Sequence, residues 1–198
     1  MHATTRGNLE EKAQKQNTLG IETMAHGGGP AGLVCINLPR IPPFLKRMNT
    51  RRVPGNISSL NTDVQAAHAS AVPWLFKPAG PDTFPPDVVA RLLDEPGNLM
   101  LIAEVDSSPA GYVYAEIVDR PETSFNYAYQ MIYVHHISVR PTLRRQGVGR
   151  ALLEAVQAEA NKRDIRMISL DVWTFNDAAR AFFSRSGFTA RSERLWKR

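Results

Sequence analysis

A turn rich in glycine and arginine is the part of this sequence whose residue types and spacing most directly indicate chemistry. Its seven residues, in order, are Arg144, Arg145, Gln146, Gly147, Val148, Gly149 and Arg150. Two glycines separated by one residue let a backbone approach a phosphate closely, and the amides at the start of a following helix point at such an anion. The arginines add positive charge. The turn therefore predicts a pyrophosphate-binding site, although the same glycine spacing also occurs in ordinary strand-to-helix turns.

The segments on either side of the turn predict the elements that would hold it. Residues 132–139 have the composition of a buried strand, and an apolar stripe predicts a helix that begins near Gly147. Apolar residues alternate over 168–172, which predicts the next strand. The order strand, turn, helix, strand is a βαβ crossover, and it implies that the two strands pair in parallel.

Weaker patterns complete a mixed α/β class. Helices are predicted over 63–71, 85–93 and 177–186. Two β-rich runs, 99–105 and 112–118, predict a hairpin connected by the polar segment 106–111. Residues 188–195 are predicted to return as a closing strand after the last helix.

The composition is that of an ordinary globular domain. The chain has 198 residues, of which 43% are hydrophobic and 22% charged, and this predicts one main domain. No apolar run approaches the roughly 20 residues that span a bilayer, and the amino terminus lacks the apolar core of a signal peptide, so we expect a cytoplasmic protein without a membrane partner. Cys35 is the only cysteine, so an intrachain disulfide is impossible. No metal site is predicted either, because the neighbouring histidines His135 and His136 would face opposite sides of a strand.

The positive charge of the chain lies outside the predicted domain. Residues 1–55 hold eight Lys or Arg against three Glu, whereas residues 56–198 hold sixteen basic and sixteen acidic residues. A nucleic-acid partner is therefore not predicted. Residues 1–47 are interpreted as a basic, disordered leader in which only 31–38 is apolar enough to pair or pack, and residues 48–198 as the domain. A functional start at Met48 is a hypothesis that mass spectrometry of the natural product would test.

Three groups of residues carry a resemblance to a known family. They are the strand end Ile137-Ser138-Val139-Arg140-Pro141, the turn Arg144-x-x-Gly147-x-Gly149, and the downstream set Asn176, Ala179, Phe182, Phe183, Gly187 and Phe188. In this combination the chain resembles the GNAT superfamily of acyl-CoA N-acyltransferases, most strongly over residues 132–190. The resemblance implies an α/β (α+β) fold with a central mixed, mostly antiparallel sheet that is splayed at the parallel strand pair and flanked by helices.

The resemblance also implies that acetyl-CoA is the acyl donor and lies in the gap between the splayed strands. Backbone groups of Ile137 to Val139 would pair with the pantetheine amides, and the turn would hold the pyrophosphate. Asn176 matches the cofactor-facing asparagine of the family, and Phe182 or Phe183 would wall the acyl and thiol end. The donor-binding residues implied are Ile137, Ser138, Val139, all seven residues of the turn, Asn176 and Phe183. For the apolar side chains among them, core packing is an equally ordinary role.

Transfer from a thioester to an amine needs a base, because an amine of pKa about 10.4 is unprotonated only about once in a thousand molecules at neutral pH. Glu116 is the leading candidate, since acids on that strand face the acceptor cleft in many relatives. His136 is the second, because imidazole titrates near neutrality. The alternatives are a solvated edge carboxylate and a hydrogen-bonded histidine. Adjacent strand residues face opposite ways unless a bulge intervenes, so we expect at most one of the two histidines in the cleft.

Phe183 stands where many relatives have a tyrosine that protonates the leaving thiolate. Phenylalanine has no proton to give, so helix amides, a hydroxyl such as Tyr133 or Ser138, or solvent would have to serve a thiolate of pKa near 8.5. The expected function is transfer of an acetyl group directly to a primary amine of a small molecule or peptide. An acyl-CoA-binding module with little activity is the alternative. A nucleotide-binding βαβ protein is disfavoured, because the turn lacks the third glycine of the dinucleotide motif and the Lys-Ser/Thr of a P-loop.

The acceptor, the acyl chain preference and the oligomeric state, including a homodimer, are left open by the sequence. One aromatic group could bear on the acceptor, and it comprises Phe125, Tyr127, Tyr129 and Tyr133. These rings either line an acceptor pocket, which would favour an acceptor with an apolar or aromatic portion, or pack against an exposed strand.

Overall fold

A five-stranded sheet forms the centre of the computed structural model, which describes the backbone of Leu33–Ile36 and, in full, residues 53–197. Its strands, in spatial as well as chain order, are β1 (Leu33–Ile36), β2 (Asn98–Val105), β3 (Ser108–Arg120), β4 (Tyr129–Val139) and β5 (Ile168–Leu170). The long inner pairs, β2 with β3 and β3 with β4, are antiparallel, whereas the short outer pairs are parallel. The predicted mixed sheet with a parallel β4–β5 pair is therefore confirmed.

Four helices flank the sheet in the part of the chain that the structure describes. They are α1 (Val53–Ala71), α2 (Pro86–Asp94), α3 (Val148–Lys162) and α4 (Asp177–Arg185), and a short 3₁₀ turn (Pro141–Leu143) precedes α3. Helix α1 begins ten residues before its predicted start at residue 63. The predicted start was wrong because Pro54 and Gly55 are a sequence that usually breaks a helix. Proline is nevertheless tolerated in the first turn, which is where Pro54 lies. Val53, Ile57 and Leu60, spaced along one helical face, are buried and hold this early turn on the sheet.

Each face of the sheet has its own core. The side chains of Leu101, Val113 and Val134 lie in the cluster that packs with α3. On the opposite face, Met100 and Tyr112 lie in the cluster that packs with α1 and α2. This division follows from the two-residue period of a strand, which sends neighbouring side chains to opposite faces.

Three further details differ from the predictions. The β2–β3 connection is only Asp106 and Ser107, both with positive φ, because residues 108–111 already belong to β3. The predicted closing strand over 188–195 is wrong: residues 188–197 contain no strand. Strand β5 ends at Leu170 rather than at residue 172.

Strand β1 lies inside the segment predicted to be a disordered leader. Its four residues pair in parallel with residues 100–103 of β2. Residues 1–32 and 37–52 lie outside the described part of the chain, so the predicted domain boundary at residue 48 stays a prediction.

The parallel pair β4–β5 opens after three residues. Ile132 to Val134 pair with Ile168 to Leu170, after which β4 continues to Val139 without further pairing to β5. The splayed edge implied by the family resemblance is thus present. Separately, among the residues that the structure describes, no helix combines the length and hydropathy needed to cross a lipid bilayer.

Candidate active site

The open edge of β4 presents its backbone in a regular pattern. The amide of Arg140 donates to the carbonyl of Ala110, so residue 140 faces β3. Because backbone groups alternate along a strand, those of Ser138 also face β3, whereas those of Ile137 and Val139 point to the open edge. Arg144 Nε donates to the Val139 carbonyl there, at 3.1 Å. An extended chain of amides such as pantetheine could pair with this edge as an added strand would.

The Ser138 side chain is engaged elsewhere. Its Oγ donates to the carbonyl of Leu60 at 2.7 Å, and the residue is buried. This hydrogen bond attaches β4 to helix α1. Any contact of Ser138 with the donor therefore falls to its backbone.

The turn before α3 has the features that a pyrophosphate needs. Gly147 is the N-cap of α3 with φ of 91°, a left-handed conformation that favours glycine, and no side chain caps the helix. The first amides of the helix, from Val148 to Arg150, have no intrahelical acceptors, and the helix dipole adds to their attraction for an anion. A Cβ added at Gly147 would meet nothing within 4 Å, so there is open space beside these amides.

Gly149 has a different task from Gly147. A Cβ built there would lie 3.2 Å from Cζ of Phe182 and 3.7 Å from Cγ2 of Val139. The missing side chain therefore lets the Phe182 ring of α4 approach α3 and β4. The side chain of Gln146 secures the same turn, because its Nε2 donates to the Thr142 carbonyl at 3.0 Å. The sequence predicted a phosphate contact for both glycines and gave no signal for this packing role.

Asn176 and Phe183, two predicted donor contacts, make structural interactions. Asn176 Oδ1 accepts a hydrogen bond from the Ala179 amide at 3.1 Å, which caps α4. Phe183 is buried, with its ring 5.2 Å from that of Phe182 and 5.7 Å from that of Phe188. Contact of these two residues with the donor stays a prediction.

A bulge in β4 changes the direction of its histidines. Tyr114 pairs with His136 but Ala115 pairs with Val134, so His135 is an extra residue in β4. Both imidazoles consequently lie beside Tyr114, whose ring is 4.7 Å from that of His135 and 5.7 Å from that of His136. The strict alternation expected from the sequence does not apply here.

Glu116 on β3 contacts His135, the histidine that the sequence did not favour as the base. The distance from Glu116 Oε2 to His135 Nε2 is 3.0 Å, and the two side chains are 45% and 32% exposed, so solvent and substrates can reach them. A carboxylate only accepts hydrogen bonds, so Nε2 is the donor and Nδ1 of the neutral ring keeps a free lone pair. The Tyr133 ring, 4.8 Å away, stands edge-on to the imidazole and helps to fix it.

His136 belongs to a buried network. Asn61 Nδ2 donates to the Tyr112 hydroxyl at 2.7 Å, and that hydroxyl lies 3.2 Å from His136 Nδ1. The simplest proton arrangement has Tyr112 donating to Nδ1 while Nε2 of His136 carries the ring proton. Burial, together with the nearby His135 and His68, lowers the pKa of His136 to about 4. The side chain is therefore neutral near pH 7.

The two hydroxyls considered as proton donors for the thiolate both interact with other groups. Ser138 donates to Leu60, and the Asp171 carboxylate lies close enough to the Tyr133 hydroxyl to act on it. Burial, and then this carboxylate, raises the pKa of Tyr133, while Arg194 opposes the shift. Among the described residues, no group of three or more His, Cys, Asp or Glu side chains is arranged to hold a metal ion.

The open strand edge, the anion-binding turn and the splayed sheet together define an acyl-CoA-dependent acyltransferase. Residues 68–188 match the family described as "Acetyltransferase (GNAT) family". The chain therefore belongs to the GNAT family of acetyltransferases, with acetyl-CoA as its donor substrate. The family resemblance, the enzyme class and the donor predicted from the sequence are confirmed.

Curated relatives and solved structures agree with this assignment. The [ribosomal protein bS18]-alanine N-acetyltransferase of Escherichia coli K12 is 34% identical over 138 residues, which cover 67% of this chain and 79% of the relative. A mutant of the BH1408 protein from Bacillus halodurans has the same fold, with a TM-score of 0.72 at 22% identity, covering 77% of this chain and 97% of that one. An aminoglycoside N-acetyltransferase in complex with CoA gives a TM-score of 0.57 at 19% identity, covering 76% and 90%.

Proposed function

We propose that this enzyme transfers the acetyl group of acetyl-CoA directly to a primary amine of a small molecule or peptide, with the Glu116–His135 pair as the base. The observation that carries this proposal is the 3.0 Å contact between Glu116 Oε2 and His135 Nε2 on the splayed half of the sheet. A carboxylate that orients a neutral imidazole is an arrangement suited to accepting a proton near neutral pH.

The acetyl group passes directly from one bound substrate to the other. The ammonium group of the acceptor gives one proton to His135 Nδ1 or to water held by the Glu116 carboxylate. The free amine then attacks the thioester carbonyl, so that a C–N bond forms and the C–S bond breaks. The electron pair of the C–S bond leaves with the sulfur as the CoA thiolate. The second amine proton passes to solvent or to the thiolate, and N-acetylated product and CoA depart.

Protonation of the thiolate is assigned to solvent. Phe183 carries no acidic proton, the Ser138 hydroxyl already donates to Leu60, and burial and the nearby Asp171 raise the pKa of Tyr133. A thiolate of pKa near 8.5 is a tolerable leaving group without prior protonation. A side-chain acid is therefore not required by this proposal.

The names of the relatives support an amine as the acceptor. One relative is named for N-acetylation of an alanine of ribosomal protein bS18, and a structural neighbour is named for N-acetylation of aminoglycosides. Both classes belong in the first substrate panel. A cytoplasmic location and a homodimer stay predictions.

The second hypothesis, an acyl-CoA-binding module, is favoured by Phe183 alone. A thiol-release assay with acetyl-CoA and a panel of amines and short peptides, followed by mass spectrometry of the acceptors, separates the two. We expect stoichiometric CoA and a product heavier by one acetyl group. Tight acetyl-CoA binding without amine-dependent thiol release would reject the catalytic proposal and leave the binding module.

A further inference from the structure

A group of half-buried and exposed aromatic side chains lies on the surface on the β5 side of the Glu116–His135 pair. We call it the aromatic patch, and it consists of Trp74, Phe76, Trp173, Phe175 and Trp196. Its members come from three separate segments: the residues after α1, the residues after β5, and the carboxyl-terminal segment. Folding therefore brings these rings together from distant parts of the chain.

Trp173 is at the centre of the patch. Its ring centroid is 5.2 Å from Phe76, 5.5 Å from Trp196 and 5.9 Å from Phe175. Trp196 in turn lies 5.3 Å from Trp74. The rings thus form a continuous row that runs from Trp173 outward through Trp196 to Trp74.

The patch is exposed to an extent that internal packing does not account for. Trp74 is 52% exposed, Trp196 49% and Phe175 38%, whereas the rings and aliphatic side chains of both sheet cores are nearly all buried. Large apolar side chains that cluster in contact with water are a feature of binding surfaces. Tryptophan supplies much of the energy at such surfaces, because it offers a large flat area with few rotatable bonds.

The patch is connected to the Glu116–His135 pair through intervening residues. The Tyr133 ring is in contact with His135, and its hydroxyl is close enough to Asp171, two residues before Trp173 in the chain, for that carboxylate to raise the pKa of Tyr133. From the other side, the His68 ring lies 4.9 Å from Phe76 and 6.2 Å from Trp173, and His68 is close enough to His136 to affect the pKa of His136. An acceptor whose nitrogen reached His135 could therefore extend past Tyr133 and Asp171 towards Trp173.

We propose that the aromatic patch binds the acceptor, and that the preferred acceptor is a primary amine carrying an aromatic or flat apolar group close to the nitrogen. The inference rests on the proposed function and specifies its substrate class. Glu116 and Asp171 attract the ammonium group, and Trp173 stacks on the apolar group. Trp196 and Trp74 extend the contact for a longer acceptor.

The charges near the base favour one cationic group in the acceptor over several. Glu116 and Asp171 are carboxylates that the contacts place there, Glu95 lies close enough to act on Tyr114, and Arg194 lies close enough to act on Tyr133. On the side of the aromatic patch, a polycationic aminoglycoside would meet a row of apolar rings. An arylalkylamine and a peptide with an aromatic second residue both fit the shared chemistry, and the experiment distinguishes them.

The first test compares matched acceptors with the wild-type enzyme. Phenylpropylamine is compared with propylamine to measure the contribution of the ring in a small amine. The peptides Ala-Phe-Gly and Ala-Ser-Gly measure the same contribution next to a peptide amino terminus. Kanamycin represents the polycationic acceptors. We expect kcat/KM to be at least about tenfold higher for the aromatic member of a pair, as burial of one ring implies. The pair with the higher kcat/KM identifies the source of the acceptor.

The second test uses variants of the patch with a matched control. Trp173→Ala and Trp196→Ala should each raise KM for the aromatic acceptor about tenfold, with little change in kcat or in KM for propylamine. Phe125→Ala is the control, because Phe125 is 94% exposed on the β3–β4 loop and outside the patch. Trp173→Phe and Trp196→Phe keep a ring at each site and should retain most of the preference.

The outcomes separate the two proposals. Failure of the wild type to acetylate any amine would reject the proposed function. Acetylation of paired amines at equal kcat/KM, a preference for kanamycin, or equal effects of Trp196→Ala and Phe125→Ala would reject the aromatic acceptor and leave the function in place. If a tryptophan-to-alanine variant no longer binds acetyl-CoA, its tryptophan-to-phenylalanine counterpart is used instead. The comparison of paired acceptors with the wild-type enzyme does not depend on any variant and decides the proposal by itself.

Discussion

His135 Nε2 lies 3.0 Å from Glu116 Oε2 because His135 lies on the same face of β4 as Tyr133, the residue that pairs with Glu116. His135 is also the extra residue of a bulge, which brings the next residue, His136, to this face as well. The register of β3 against β4 thus forms the carboxylate–imidazole pair, and the bulge places a second imidazole beside Tyr114. The resulting side chains are accessible, and the Tyr114 and Tyr133 rings hold the imidazole in place.

Removal of the charge on Glu116 should slow catalysis without affecting the donor. Glu116→Gln keeps the size of the side chain but cannot act as a base or stabilise an imidazolium, so we expect kcat/KM to fall about a hundredfold. His135→Ala should lower kcat/KM by a similar factor. The double variant should lower it by little more than either single variant, because the two residues act as a unit.

Asp119→Asn is the control for this cycle, since Asp119 is exposed further along β3 and accepts a hydrogen bond from Gln130. Steady-state rates and acetyl-CoA titrations on the wild type and all four variants measure the effect. Full activity of Glu116→Gln would remove the pair from the mechanism. Independent, multiplicative losses would show that the two residues do not act together.

Gly147→Glu should abolish acetyl-CoA binding, because it places a side chain and a negative charge in the open space beside the first amides of α3. The strain of φ 91° contributes as well, and Gly187→Glu controls for it. Gly187 has φ of 90° and also has nothing within 4 Å of its Cβ position, but it lies after α4. Isothermal titration with acetyl-CoA measures both variants; equal affinities would contradict the predicted pyrophosphate site.

His136 should make the folded state sensitive to mild acid. Its pKa of about 4 lies below the ordinary 6.5, so the unfolded chain takes up the proton first as the pH falls. The stabilisation is complete above about pH 6.5 and is lost towards pH 4, amounting to about 2 kcal/mol between about pH 7 and pH 5. His136→Asn, whose Oδ1 can still accept from Tyr112, should flatten this dependence in urea unfolding.

The same variant tests the sequence prediction that His136 is the base. We expect His136→Asn to keep kcat within about threefold at neutral pH, because the imidazole is buried and bonded to Tyr112. A loss comparable to that of Glu116→Gln would instead restore His136 to the catalytic role. If the free energy of unfolding fell equally with pH in the wild type and in His136→Asn, the buried neutral state of His136 would be contradicted.

Phe183→Tyr tests whether the enzyme lacks an acid that it needs. The ring is buried between Phe182 and Phe188, and we propose that the thiolate leaves without a side-chain donor, so kcat should change by less than about threefold. The added hydroxyl should lower the free energy of unfolding by about 1 kcal/mol. A tenfold rise in kcat would show that thiolate protonation limits the native enzyme.

Much of the fold was accessible from the sequence because its determinants are local. The period-two pattern of β4, the glycines of the turn and the apolar stripe of α3 each specify a conformation within a few residues. Together they predicted the parallel β4–β5 pair, the donor site and the family. The predictions failed where local patterns mislead: Pro54-Gly55 conceals the start of α1, and the β-rich segment 188–195 has no strand pairing in the structure.

The acceptor side was decided by tertiary structure. The sequence identified Glu116 from family resemblance, but its partner His135 depends on how β3 is aligned with β4, which is a relation between two strands and leaves no pattern in either one. The aromatic patch likewise joins three segments that are far apart in the chain. The predicted donor site is thus encoded in contiguous residues, because it consists of one turn and one strand edge, whereas the proposed acceptor site arises only when separate segments meet.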